Sequence, residues 1–103
     1  MTSKLQSYMG FASKAGKLVS GTNTCMYTMD KGKAKLLIVA EDVSDNTKDK
    51  VISKAKYLNV EYRVFGKADD LAHYTGKYGA GVFVITDDNF KEVITRAIDD
   101  TNN

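Results

Sequence analysis

Ala34-Lys35-Leu36-Leu37-Ile38-Val39-Ala40 is the stretch on which the architecture turns. Nearly continuous in apolar side chains and bounded by Gly32-Lys33 and Glu41-Asp42, it is too short for a core helix. It suits a strand buried on both faces. Such a strand needs a covering layer on each side, so its neighbours should read as helices. Val82-Phe83-Val84-Ile85 is a second run of the same kind. Val60, Tyr62 and Val64 alternate with polar residues up to Gly66, which predicts a half-covered strand. Leu18-Val19, closed by Ser20-Gly21, is a very short fourth.

Helical spacing fills the gaps. Leu5, Tyr8, Met9 and Ala12 follow i, i+3, i+4, i+7 and predict a helix ending at Gly16. Thr22-Asn23-Thr24 are suited to cap a second helix that stops at Lys31-Gly32. Ser44, Asp45 or Asn46 caps a third, with Val51, Ile52, Ala55 and Leu58 on its core face. Ala68, Leu71, Ala72 and Thr75 mark a short fourth ending at Gly76. Asp87 or Asp88 caps the last, with Phe90, Val93, Ile94, Ala97 and Ile98 on one face and a fraying tail at Thr101-Asn102-Asn103. Five helices alternating with four strands predict an α/β fold, a three-layer α/β/α sandwich on a small sheet. No repeat, low-complexity tract or linker interrupts residues 1–103, which read as a single domain.

Composition narrows the function. One cysteine, Cys25, excludes an internal disulfide framework, and with only His73 beside it a Cys/His zinc cluster is excluded too. No apolar run approaches the roughly 20 residues that span a bilayer, so no membrane association is expected. Met1-Thr2-Ser3-Lys4-Leu5 lacks the apolar core of a signal peptide, which makes the cytoplasm the default compartment. The formal net charge of +2 conceals an asymmetry. Residues 1–56 carry ten lysines against five acids, and residues 57–103 carry five bases against eight acids. Segregated positive charge is the footprint of a polyanion binder, although a solvated helix face would look the same.

Catalytic patterns fail. His73 has no cysteine or paired acid at ligand spacing. Cys25 falls on the expected buried face of the second helix and reads as core, with a reactive thiol near the helix start as the alternative. Asp69-Asp70 and Asp87-Asp88 stand at helix starts, where acids complement the dipole. Glu41-Asp42 lacks further carboxylates to converge with. Gly76-Lys77-Tyr78-Gly79-Ala80-Gly81 lacks the strand-then-helix setting of a phosphate loop. No enzyme activity, cofactor or metal is expected. More informative is Lys17-Leu18-Val19-Ser20-Gly21-Thr22-Asn23-Thr24, which joins a strand, a glycine and a polar helix start. Free N–H groups there can meet phosphate, Gly21 allows close approach, and the Asn23 amide can both donate to and accept from a base edge. An ordinary helix cap is the competing reading.

Lys14-Ala15-Gly16-Lys17-Leu18-Val19-Ser20-Gly21, followed by Gly32-Lys33 through Val43-Ser44, resembles the kink-turn-binding ribosomal protein family. That family includes archaeal L-seven-Ae, eukaryotic L-thirty-e and small bacterial relatives, and this chain is most similar to the bacterial branch over roughly residues 4–98. The resemblance implies a mixed four-stranded sheet and an RNA site at one end of the sandwich. Gly21, Thr22, Asn23 and Thr24 match the turn that reads guanine edges of tandem sheared G·A pairs. Tyr27 lies one turn along, and Glu41, Asp42 and Val43 match a loop beside the same face. Lys67 matches a lysine opening the fourth helix, and Lys77, Tyr78, Gly79 and Ala80 match the loop over a flipped-out nucleotide. Lys17 and Lys33, with Lys67, would neutralise phosphates.

The chain also departs from the family. Thr24 stands where many members carry glutamate, which removes an acceptor for guanine donors, and Tyr27 stands where many carry lysine. Tyr78 and Gly79 replace apolar residues, and Ala72 replaces a glycine. The resulting expectation is a non-catalytic protein that binds kink-turn or similarly bulged RNA, ribosomal or regulatory. Ribosomal RNA and ribosomal proteins are the implied partners, with ribosome association in the cytoplasm. A protein-interaction scaffold of the same fold with little RNA affinity is the alternative.

Overall fold

The computed structural model describes residues 3–102. The two apolar runs meet at the centre of the sheet, where β2 (Leu36–Val39) and β4 (Val82–Ile85) pair antiparallel with all eight residues buried. The other elements are α1 (Ser3–Lys14), β1 (Leu18–Ser20), α2 (Thr22–Asp30), α3 (Asp45–Tyr57), β3 (Glu61–Val64), α4 (Ala68–Thr75) and α5 (Asp88–Asn102). Strand order is β1-β4-β2-β3, antiparallel except for the parallel pair β2 and β3. The sheet is therefore mixed.

Alternation along the strands divides the core in two. Leu18, Leu36, Ile38, Phe83 and Ile85 pack with Leu5, Met9, Ala12, Leu71, Ile94 and Ile98, which puts α1, α4 and α5 on one face. Leu37, Val39, Val82 and Val84 pack with Cys25, Met29, Val51 and Ala55, which puts α2 and α3 on the other. This is the three-layer sandwich that the hydrophobic pattern predicts. Burying a leucine-sized side chain contributes about 1.5–3 kcal/mol, so both layers are firmly held.

The caps sort out differently. Ser44 accepts from Thr47 N at 3.1 Å, and Asp87 accepts from Phe90 N at 2.9 Å, as the sequence allows. The start of α2 is otherwise: Gly21 occupies the capping position and no side chain caps the helix. Thr22, Asn23 and Thr24 follow the cap instead of providing it. At the other terminus α5 continues where fraying is expected, and the Thr101 hydroxyl donates to Ala97 O at 2.9 Å. Met1, Thr2 and Asn103 lie outside the described residues.

β3 is an outer strand, and Arg63 ties it to α5. Its guanidinium makes a two-pronged contact with Asp99, Nε to Oδ1 at 2.8 Å and Nη2 to Oδ2 at 3.0 Å. Nη2 also reaches Glu61 at 3.0 Å, while Nη1 occupies Tyr62 O at 2.9 Å and so blunts the free edge. Lys91 binds Glu61 from α5 at 2.9 Å. The bond from Lys91, supported by Arg63, holds the Glu61 carboxyl below its usual range, and the bond from Arg63 does the same for Asp99. A depressed carboxyl pKa contributes stability above the unfolded value of about 4 and loses it as pH falls through the folded value. Arg63→Ala is expected to lower the neutral-pH melting temperature and to narrow the gap between neutral pH and about pH 3, checked by melts at both.

Candidate nucleic-acid interface

The turn after β1 is shaped by one residue. Gly21 has φ 95° and ψ 143°, a conformation that an L side chain rarely adopts. Its N–H donates to Val82 O at 2.9 Å, which anchors the turn to the centre of the sheet. Its carbonyl accepts from Cys25 N at 2.9 Å as the first bond of α2. The N–H groups of Thr22, Asn23 and Thr24 therefore precede the first intrahelical donor, Cys25 N, and carry the positive end of the helix dipole. A Cβ placed on Gly21 would meet nothing within 4 Å, so its α-carbon faces open space. Asn23 and Thr24 are exposed, and Thr22 is half-buried.

Three other loops meet at this end. Ala40 N donates to Gly81 O at 2.8 Å and Glu41 N to Gly66 O at 2.7 Å, joining the ends of β2, β3 and β4. Asp42 Oδ1 accepts from Ala68 N at 2.9 Å, so this side chain caps α4 from 26 residues away. Lys67 Nζ stands 3.7 Å from Glu41 Oε1, an exposed pair that holds weakly. Val43 is half-buried and packs against both core layers, which makes it a wedge beneath the site. Ala80 also packs on the core, while Lys77, Tyr78 and Gly79 are exposed on the loop after α4. The Tyr78 hydroxyl lies 3.4 Å from Nδ1 of the exposed His73.

Gly21, Thr22, Asn23, Thr24, Glu41, Asp42, Val43, Lys67 and Ala80 are thus gathered by strand ends that bond one another. Lys17 and Lys33 are not. Lys17 O accepts from Thr86 N and Lys35 N donates to Ile85 O, so both chains enter the sheet at its opposite end. Lys33 immediately precedes that entry, with its N–H on Thr28 O. About 10 Å of strand separates this end from the Gly21 turn. The resemblance groups these two lysines with Lys67, and the sheet sets them apart from it, because strand direction, unlike strand existence, cannot be read from an alternating pattern.

Charge at the turn itself is mixed. Glu41, Asp42, Asp45, Asp69 and Asp70 stand on the surrounding loops and helix starts, with Lys48, Lys67 and Lys77 as the cations. Tyr27 is 63% exposed on the outer side of α2, and Lys31 Nζ lies 5.3 Å from its ring centroid. The spacing of four between Tyr27 and Lys31 is the sequence signal of this contact.

Cys25 is not a reactive thiol. It is fully buried, its Sγ faces the carbonyls of Val19 and Val82, and burial pushes its pKa up to about 12. Among the described residues no group of three or more His, Cys, Asp or Glu converges to hold a metal, and no helix is long and apolar enough to cross a membrane.

Fold and loops together define a small α/β/α protein that presents the first backbone donors of α2 and the exposed Asn23 amide at one end of a mixed sheet. The chain belongs to the ribosomal protein L7Ae/L30e/S12e/Gadd45 family, which it matches over residues 3–95. It is 32% identical over 91 residues to the RNA-binding protein YlxQ of Bacillus subtilis (strain 168), covering 88% of this chain and 91% of that protein. With the RNA-binding protein YlxQ of Enterococcus faecium it shares 36% identity over 88 residues, 84% of each chain. A solved structure of a protein with unknown function from Bacillus halodurans superposes with a TM-score of 0.89 at 26% identity, covering 93% of this chain and 97% of that one.

Proposed function

We propose that this protein binds structured RNA without catalysis and recognises a kink-turn or a similarly bulged element through the Gly21–Thr24 turn. The observation that carries the reading is the start of α2, where glycine occupies the cap and, among the described residues, no side chain takes the N–H groups of Thr22, Asn23 and Thr24, with the Asn23 amide exposed beside them. The family and the names of its relatives support RNA as the ligand class. RNA is recognised specifically at bulges and unstacked bases, which suits a short turn better than a groove-reading helix. Asn23 reads base edges, the Thr24 hydroxyl offers one acceptor, and Lys67 meets phosphate. Lys77, Tyr78, Gly79 and Ala80 cover a displaced nucleotide. Ribosomal RNA in the cytoplasm, alongside ribosomal proteins, is the expected setting.

The acids around the turn favour the alternative, a protein-interaction scaffold with little RNA affinity. Titration of a kink-turn RNA over a salt series separates the two. With about three to five lysine–phosphate contacts, the log–log slope of affinity against salt is expected at about −2 to −5. A flat response, or no binding at about 50–100 mM salt, favours the scaffold.

A further inference from the structure

We infer that the outer face of α2 is a track for an unpaired RNA strand leaving the Gly21–Thr24 turn, with Tyr27 stacking on a base and Lys31 and Lys33 on the adjoining phosphates. The inference rests on the RNA-binding reading above and adds a direction and a second subsite to it. Cys25, Thr28 and Met29 face inward, so α2 and its C-terminal cap Lys31 present Asn23, Tyr27 and Lys31 outward at successive spacings of four. These positions form one line down a helix about 13 Å long. An exposed tyrosine alone is unremarkable on a protein surface. What distinguishes Tyr27 is its place in that line, one turn from an unengaged amide and one turn from a lysine whose ammonium already lies within cation–π range of the ring.

Electrostatics then select the path. Asp30, the one acid in α2, is held at 2.7 Å by Lys54 of α3, so the outer line carries no unpaired negative charge. Glu41, Asp45, Asp69 and Asp70 oppose a phosphate chain on the other sides of the turn. Lys33, just beyond the helix, is also exposed, and among the described residues neither Lys31 nor Lys33 makes an ion pair. Lys33, which the strand register sets apart from the Gly21 turn, thus acquires a ligand: the continuation of the same RNA strand. Aromatic stacking with cationic support is the general means of holding single-stranded nucleic acid without regard to sequence.

The test compares a kink-turn stem-loop with the same RNA carrying an unpaired tail of about six adenosines at its 5′ or its 3′ end. For the wild-type chain one of the two tails is expected to tighten binding about tenfold. The ratio of tailed to untailed affinity should fall to near one in Tyr27→Ala and when the tail is abasic. It should fall in Lys31→Ala/Lys33→Ala and be kept in Tyr27→Phe, which preserves the ring. Circular dichroism melts establish that each variant is folded. A wild-type ratio of one with both tails, or a ratio that survives in Tyr27→Ala, overturns the track and leaves the kink-turn reading standing. Failure of the wild-type chain to bind either RNA overturns both.

Discussion

Asn23→Ala is expected to weaken binding of a kink-turn RNA by about 1–3 kcal/mol, roughly five- to 150-fold, with far less effect on a plain duplex. The loss follows from the two-sided hydrogen bonding of an amide at a base edge, which alanine cannot replace. An asparagine in the first turn of a helix invites a competing explanation, since deleting a capping side chain costs about 1 kcal/mol of stability. Here that explanation has no footing, because among the described residues no side chain caps α2, and Asn23 is exposed. The melting curve of the variant should stay within the roughly 0.5 kcal/mol typical of surface substitutions. Titrations of both RNAs at fixed salt, paired with melts, give the answer. Equal losses on kink-turn and duplex would remove Asn23 from base recognition.

Gly81→Ala is expected to destabilise the fold by about 1–3 kcal/mol, through overpacking beneath the same site. A Cβ on Gly81 would run into Val43 Cγ1, with Ala68 Cβ at 3.5 Å and Ala40 Cβ at 3.9 Å. Val43 cannot retreat freely, because it packs against both core layers. The clash should push the loop after β2 outward and loosen the Asp42 cap on α4, so RNA affinity should fall together with stability. Combining Gly81→Ala with Val43→Ala removes the colliding methyl, and the double variant should lose less than the sum of the single ones. Chemical denaturation of the four proteins measures this coupling. Additive losses would show that the two residues do not oppose each other.

The site was legible in unequal parts. Gly21 and Asn23 stand in a local pattern of strand, glycine and polar helix start, and that pattern survived folding intact. Its capping chemistry did not: three good capping residues in a row pointed to a side-chain cap, yet the φ of Gly21 starts the helix one residue earlier. Asp42 and Val43 were placed beside the site by resemblance to the family. Their structural tasks, a cap on α4 and a wedge against Gly81, join segments far apart in the chain. The resemblance groups Lys17 and Lys33 with Lys67, and the strand register sets them at the other end of the sheet. Charge can be counted along a sequence, but the end of the sheet that it decorates depends on strand direction.

By itself the sequence determined the elements and the two faces of the core. Apolar period, glycine breaks and the caps at Ser44 and Asp87 act over a few residues, so Leu36–Val39 and Val82–Ile85 announce buried strands wherever they are placed. Only the tertiary structure decided the order β1-β4-β2-β3, the one parallel pair, and which loops share an end. Pairing between strands is a contact between distant segments, and an alternating pattern is unchanged when a strand is reversed. The Gly21–Thr24 turn and the lysines beyond it were therefore separate features in the sequence. The passage of α2 from one end of the sheet to the other joins them.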